Sequence, residues 1–203
     1  NSTVMKGHIR VIPSLVAPIT PSAQQGNANQ VTYTSNTGSY SLAANAPIEK
    51  AIHAGAQWVE IDVQETIDGE VVVIHDSDLM KVAGVDLKVW EATRDQITAV
   101  DIGSSFNPRF HNARVPTLQE VLSICKGRMG IIIELKSYGH GQMLEQRVID
   151  LVEAAGSERE VQCMSLSAEV VARLKELRPD WPAGLLLSLA VGDVKNIKAD
   201  FLA

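Results

Sequence analysis

Cysteine is scarce in this sequence: Cys125 and Cys163 are the only two, each isolated in an apolar segment. Two cysteines without close partners make neither a zinc-type cluster nor a disulfide framework, and they read as buried thiols. No uninterrupted apolar run approaches the ~20 residues that a membrane-spanning helix needs. No glycine-rich dinucleotide fingerprint occurs, so a nicotinamide- or flavin-dependent oxidoreductase is not expected. Positive charge is in the minority, since 18 Lys and Arg face 24 Asp and Glu for a net charge of −6. That balance argues against a general nucleic-acid binder, although a local cationic site can still take a phosphate. The chain does not open with a basic region followed by an apolar core, so no signal peptide and a cytoplasmic setting are the expectations.

What is present is enough for a sizeable core. The chain has 203 residues and is 45% hydrophobic, sufficient for one globular domain. Its first 45 residues differ from the rest. Thr20–Ser41 is rich in Ser, Thr, Asn, Gln and Gly and poor in apolar residues, so residues 1–45 read as a polar loop or arm. From residue 46 onward, strand and helix patterns alternate. A helix with Pro47 near its start precedes strands near 57–64 and 70–75, and a helix is expected over 90–100. Thr117 is a candidate N-cap for a helix over 117–125. Strands near 130–136, 161–165 and 184–188 alternate with helices near 142–155 and 167–177, the first of which ends before Gly156. Asp200–Ala203 looks like the start of another strand. This rhythm favours an α/β parallel sheet or barrel.

Charge inside a strand pattern marks one segment, Trp58–Asp76. Glu60 and Asp62 are two residues apart and share a face, with Val59, Ile61 and Val63 on the other. Neighbouring carboxylates repel, and burial strengthens the repulsion. A hard divalent cation such as Ca²⁺ or Mg²⁺ relieves it, because carboxylate oxygens suit such ions. Asp68-Gly69 is a strong turn signal between apolar runs. If it closes a two-residue hairpin, Ile67 faces Glu70, and Asp62 lies opposite His75 on the same face. Spacing alone leaves a second reading open, a half-exposed strand whose polar residues face water.

Gly130–Lys136 adds to this pattern. Its apolar run becomes charged at its end, with Ile132, Glu134 and Lys136 on one face. Barrels and open α/β sheets place catalytic groups at such strand ends. Glu134 is a candidate third oxygen ligand and Lys136 a candidate anion contact. An ordinary Glu and Lys at a strand exit is the competing reading.

Together these segments resemble the glycerophosphodiester phosphodiesterase family. The resemblance rests on Gly55-Ala-Gln-Trp-Val-Glu60-Ile-Asp62-Val63, Thr66-Ile-Asp-Gly69, Val72-Val-Ile-His75-Asp76 with Leu79, Val115-Pro-Thr-Leu-Gln-Glu-Val-Leu122 and Ile133-Glu134-Leu-Lys136, and covers roughly residues 46–203. It implies a TIM-type (β/α)8 barrel and metal-dependent hydrolysis of a small-molecule glycerophosphodiester to sn-glycerol 3-phosphate and an alcohol. It also implies that Glu60, Asp62 and Glu134 hold a divalent cation (Ca²⁺ or Mg²⁺), that His75 is the general acid or base, and that Lys136 contacts the phosphate side of the substrate. By the same resemblance the chain stops about two strand–helix units short of a full barrel, so an incomplete barrel is expected.

One departure from the family is plain. The family opens with a strand ending in His-Arg, followed by a Glu-Asn motif, and neither is matched here. Gly7-His8-Ile9-Arg10 separates its His and Arg, and Ala44-Asn45-Ala46 lacks the glutamate, so no role passes to His8, Arg10 or Asn45. His53 falls in a helix and His111 in a loop. His140 follows the Glu134 strand closely enough for its loop to reach a site at the strand ends. Two function classes therefore stand: a phosphodiesterase, and a non-catalytic relative that keeps a metal- or anion-binding site.

Overall fold

The structure is a computed structural model and describes residues 10–12, 46–105, 107–187 and 199–203. Apart from Arg10–Ile12, the polar segment 1–45 lies outside the described residues, as do His8 and Asn45. In chain order the elements are β1 (Arg10–Ile12), α1 (Ala46–His53), β2 (Trp58–Glu65), β3 (Val71–Val73), β4 (Asp78–Leu79), α2 (Met80–Ala83), β5 (Val85–Lys88), α3 (Arg94–Ala99), α4 (Leu118–Cys125), β6 (Gly130–Leu135), α5 (Leu144–Ala155), β7 (Val161–Ser165), α6 (Ala168–Leu177), β8 (Ala183–Leu185) and β9 (Phe201–Leu202). The main sheet runs β1-β2-β6-β7-β8-β9, with β3 also paired to β2. From β2 to β9 every neighbouring pair is parallel, whereas β1 and β3 pair with β2 antiparallel.

The two faces of this sheet are chemically distinct. Val59, Ile61 and Val63 of β2, Ile131, Ile133 and Leu135 of β6, Val161 and Cys163 of β7, and Ala183 and Leu185 of β8 alternate onto one face. There they share one core with apolar residues of α1, α4, α5 and α6. The opposite face of β2 carries Glu60, Asp62 and Gln64, and that of β6 carries Glu134, all buried. Helices packed over one face of a mostly parallel sheet are the outer layer of a (β/α)8 wall, and the carboxylates stand on the face that would be its inside. Among the described residues the sheet does not close on itself. Among them, too, no helix is long and apolar enough to cross a membrane, and both cysteines are free. Burial pushes the Cys125 and Cys163 thiols up to about 12, which keeps them protonated and inert.

Between β3 and α4 the chain builds a second, smaller core from Val72, Ile74, Leu79, Val89, Ala92, Ile97 and Val115. The helix expected over 90–100 is divided here. Val89–Glu91 forms a 3-10 turn, and α3 starts afresh at Arg94 behind Thr93. Thr93 and Gln96 cap each other reciprocally, which gives the new helix its own start signal. Thr117 caps α4 as expected, in the same kind of box with Glu120, and Gly156 ends α5 in the left-handed conformation.

The β2–β3 hairpin departs from the expected register by one residue. Val63 pairs with Val73 and Glu65 with Val71, so Asp62 aligns with Ile74 instead of His75. The Thr66 amide donates to the Glu70 carbonyl, and the Gly69 amide donates to the Thr66 carbonyl. The loop is thus three residues long, with Gly69 at φ 84 in the left-handed position that such loops require. Thr66 selects it: its hydroxyl donates to Asp68 at 2.6 Å and accepts the Glu70 amide at 2.9 Å. A side chain at 69 would also run into the Arg147 guanidinium, which is otherwise paired with Glu65 at 2.8 Å. Gly69→Ala should therefore cost about 1–2 kcal/mol, read as a lower urea midpoint at unchanged slope.

Candidate active site

The parallel register of β2 and β6 builds the acidic cluster. Asp62 aligns with Glu134 and Glu60 with Ile132, so two carboxylates stand side by side and the third lies two residues back on the same face. Glu60, Asp62 and Glu134 are only 5%, 3% and 7% exposed. One oxygen from each lies within 4.8 Å of the others. Lys136, at the exit of β6, reaches into the cluster, with its Nζ 2.9 Å from Glu134 Oε1 and 3.3 Å from Asp62 Oδ1.

The electrostatics of this cluster are unbalanced. Burial pushes the Asp62 carboxyl up to about 6, Glu134 adds to the rise, and Lys136 and His75 oppose it. Burial also works against the Lys136 charge, but the Glu134 hydrogen bond and the charges of Asp62 and Glu134 outweigh it and raise Lys136 above its ordinary range. Among these four side chains, one ammonium faces three carboxylates. Asp62 Oδ1 is buried and accepts no hydrogen bond from the described residues, its ammonium neighbour notwithstanding. The donor set fits a hard divalent cation. Oxygens bound at about 2.3–2.6 Å to one Ca²⁺ lie no more than about 5 Å apart, and carboxylates are the oxygen ligands such ions prefer.

His75 follows β3 where the chain leaves the ladder. Its ring Nδ1 lies 2.7 Å from Asp76 Oδ1, and Lys81 Nζ approaches the same carboxylate at 3.1 Å. Burial opposes ionisation of Asp76, but the hydrogen bonds from His75 and Lys81 prevail and hold it below the usual carboxylate range. Asp76 thus remains an anion that orients the imidazole. The half-exposed His75 side chain is near enough to Asp62 for its charge to be felt there.

Two further residues, not singled out from the sequence, shape this region. Gln64 is 2% exposed, and its Nε2 contacts the carbonyls of Ile74, His75 and Asp76. Its spacing offers a signal, because it continues the i, i+2, i+4 series begun by Glu60 and Asp62. Tyr138 donates its hydroxyl to the His75 carbonyl at 2.7 Å, a long-range contact with no local sequence signature. Glu65, on the other face of β2, accepts the Gln142 and Met143 amides and so fixes the entry to α5. His140 stacks on Trp90 with ring centroids 4.1 Å apart and lines a small recess with Gln64, Lys136 and Ser137. His53 bonds the Glu49 carbonyl within α1, and His111 lies exposed in its loop.

The chain is similar in sequence and fold to known proteins. A glycerophosphodiester phosphodiesterase of Caldanaerobacter subterraneus subsp. tengcongensis is 31% identical over 146 residues, covering 70% of this chain and 59% of the relative. One from Bacillus altitudinis is 30% identical over 145 residues, again covering 70% and 59%. The crystal structure of a glycerophosphodiester phosphodiesterase from Agrobacterium tumefaciens superposes with a TM-score of 0.62 at 31% identity, over 71% of this chain and 60% of that one. An Oleispira antarctica phosphodiesterase, solved with its product sn-glycerol 3-phosphate, shares the fold at a TM-score of 0.66 and 24% identity. The chain therefore spans less than two thirds of the length of these relatives. The glycerophosphoryl diester phosphodiesterase profile matches residues 17–197, most of the sequence, and the chain belongs to that family.

Proposed function

We propose that this chain carries the metal-dependent hydrolysis of glycerophosphodiesters to sn-glycerol 3-phosphate and an alcohol. The observation that carries the reading is the convergence of three buried carboxylates, one oxygen of each within 4.8 Å of the others. Glu60, Asp62 and Glu134 would hold Ca²⁺ or Mg²⁺, which supplies charge neutralisation at the phosphoryl oxygens and a more acidic bound hydroxyl. Lys136 steadies Asp62 and Glu134 and adds positive charge on the phosphate side. His75 exchanges a proton with the substrate, held by Asp76 through Nδ1. The phosphodiesterase unit is residues 46–203 together with β1, which pairs with β2, while the rest of residues 1–45 is compositionally separate, although the family match extends into it as far as residue 17.

The test is hydrolysis of glycerophosphocholine by the purified chain with Ca²⁺, with Mg²⁺ and after chelation, read as glycerol 3-phosphate release. Cation-dependent turnover is expected. Cation binding by calorimetry with no turnover above background would discard the enzyme reading and leave a cation-binding relative.

A further inference from the structure

The backbone that carries His75 is held by side chains from two other parts of the chain, Gln64 of β2 and Tyr138 beyond β6. Gln64 Nε2 lies 2.9 Å from the Ile74 carbonyl, 3.2 Å from that of His75 and 2.8 Å from that of Asp76. Three successive carbonyls thus converge on one buried amide, so past Ile74, whose amide makes the last ladder bond to the Asp62 carbonyl, the backbone is wrapped around a side chain. The Tyr138 hydroxyl adds a second donor to the His75 carbonyl at 2.7 Å. Tyr138 adopts φ 46, a conformation that non-glycine residues rarely occupy, and Gly139 follows at φ 79. An uncommon backbone there is useful if it delivers the phenol to the His75 segment. The same loop begins at Lys136. The Tyr138 bond therefore ties the loop bearing the ammonium to the segment bearing the imidazole.

We propose that Gln64 and Tyr138 are positioning residues that fix the His75 imidazole relative to the carboxylate cluster. Gln64 anchors the segment to β2, the strand that also carries Glu60 and Asp62. Tyr138 anchors it to the exit of β6, the strand that carries Glu134. The imidazole is thereby referenced to both strands that hold the cluster. This inference rests on the reading of His75 as the proton-transfer group. Neither residue needs to touch the substrate.

Gln64→Leu keeps the volume and removes the donors, while Tyr138→Phe removes one hydroxyl from a side chain that is already 45% exposed and does not threaten folding. Displacing a reacting group by about 1 Å can cost about 100-fold, so Gln64→Leu should lower kcat by about that factor with KM and Ca²⁺ affinity within about twofold of the parent. Tyr138→Phe should lower kcat by about tenfold with the same KM. Hydrogen exchange of the amides over 74–79 should quicken in both variants while residues 130–135 stay unchanged. This second readout does not depend on activity. If the parent shows no turnover, the phosphodiesterase reading fails, and the exchange result still decides whether these residues hold the His75 segment. Unchanged kcat and unchanged exchange in Tyr138→Phe would overturn the proposal. So would a loss in Gln64→Leu that appears equally in KM and Ca²⁺ affinity, since Gln64 would then serve the cluster and not His75.

Discussion

Replacing His75 with alanine is expected to lower kcat by about 10²–10⁴-fold, the range that a positioned general acid or base contributes. The loss should leave Ca²⁺ affinity intact, because the imidazole lies outside the carboxylate cluster and is held by Asp76. A sharper version separates its two roles. An alkoxide leaving group needs a proton as the phosphorus–oxygen bond breaks, whereas a nitrophenolate needs much less help. If His75 supplies that proton, the variant should recover most of its rate on a glycerophospho-nitrophenyl ester. If His75 instead takes a proton from the nucleophile, both substrates should lose rate equally. Asp76→Asn should fall between the parent and His75→Ala, since it leaves the ring in place without its anionic partner. A His75→Ala enzyme within about tenfold of the parent on the choline substrate would remove His75 from the chemistry.

The acidic half of this site is legible in the sequence, because it depends on features that a strand cannot hide. Glu60 and Asp62 interrupt an apolar run at a spacing that forces them onto one face, and Glu134 does the same at the end of β6. Once β2 and β6 pair in parallel, aligning Asp62 with Glu134 completes the cluster. The histidine is legible too, but by the wrong route. Asp68-Gly69 looks like a two-residue turn, which would put His75 opposite Asp62. The Thr66 hydroxyl instead takes the Glu70 amide and lengthens the loop by one residue, which moves Ile74 into that place. His75 comes near Asp62 because the chain leaves the ladder after Ile74, whose amide still donates to the Asp62 carbonyl, and curls around Gln64. Such non-local bonds between a side chain and distant backbone leave no periodic trace. The split of the 90–100 helix has a local cause that can be read, since Thr93 and Gln96 form an N-cap pattern inside the helical stretch.

Asp62→Asn should expose a conflict between stability and cation binding. In the cation-free protein, burial raises the Asp62 carboxyl from 3.8 to about 6. The folded state therefore holds a proton that the unfolded chain releases between those values. By linkage, stability falls as pH rises through this window and stays low above it. Two pKa units correspond to about 3 kcal/mol, an order-of-magnitude figure. The substituted amide carries no charge to bury, so above pH ~6 the cation-free variant should melt higher than the cation-free parent, and below pH ~4 the two should converge. Adding Ca²⁺ should reverse the order. The parent gains stability in proportion to its affinity, whereas the variant has lost a ligand oxygen charge and gains little. Cation affinity of the parent should also weaken as pH falls through about 6, because protons and the cation compete for Asp62. Melting curves at pH 4, 6 and 8 with and without Ca²⁺ provide the measurement. Identical curves for parent and variant above pH 6, in both the presence and absence of the cation, would show that Asp62 is neither strained by burial nor relieved by a metal. The Glu60, Asp62 and Glu134 reading would fall with it, since the buried oxygen that invites a cation would have no measurable need of one.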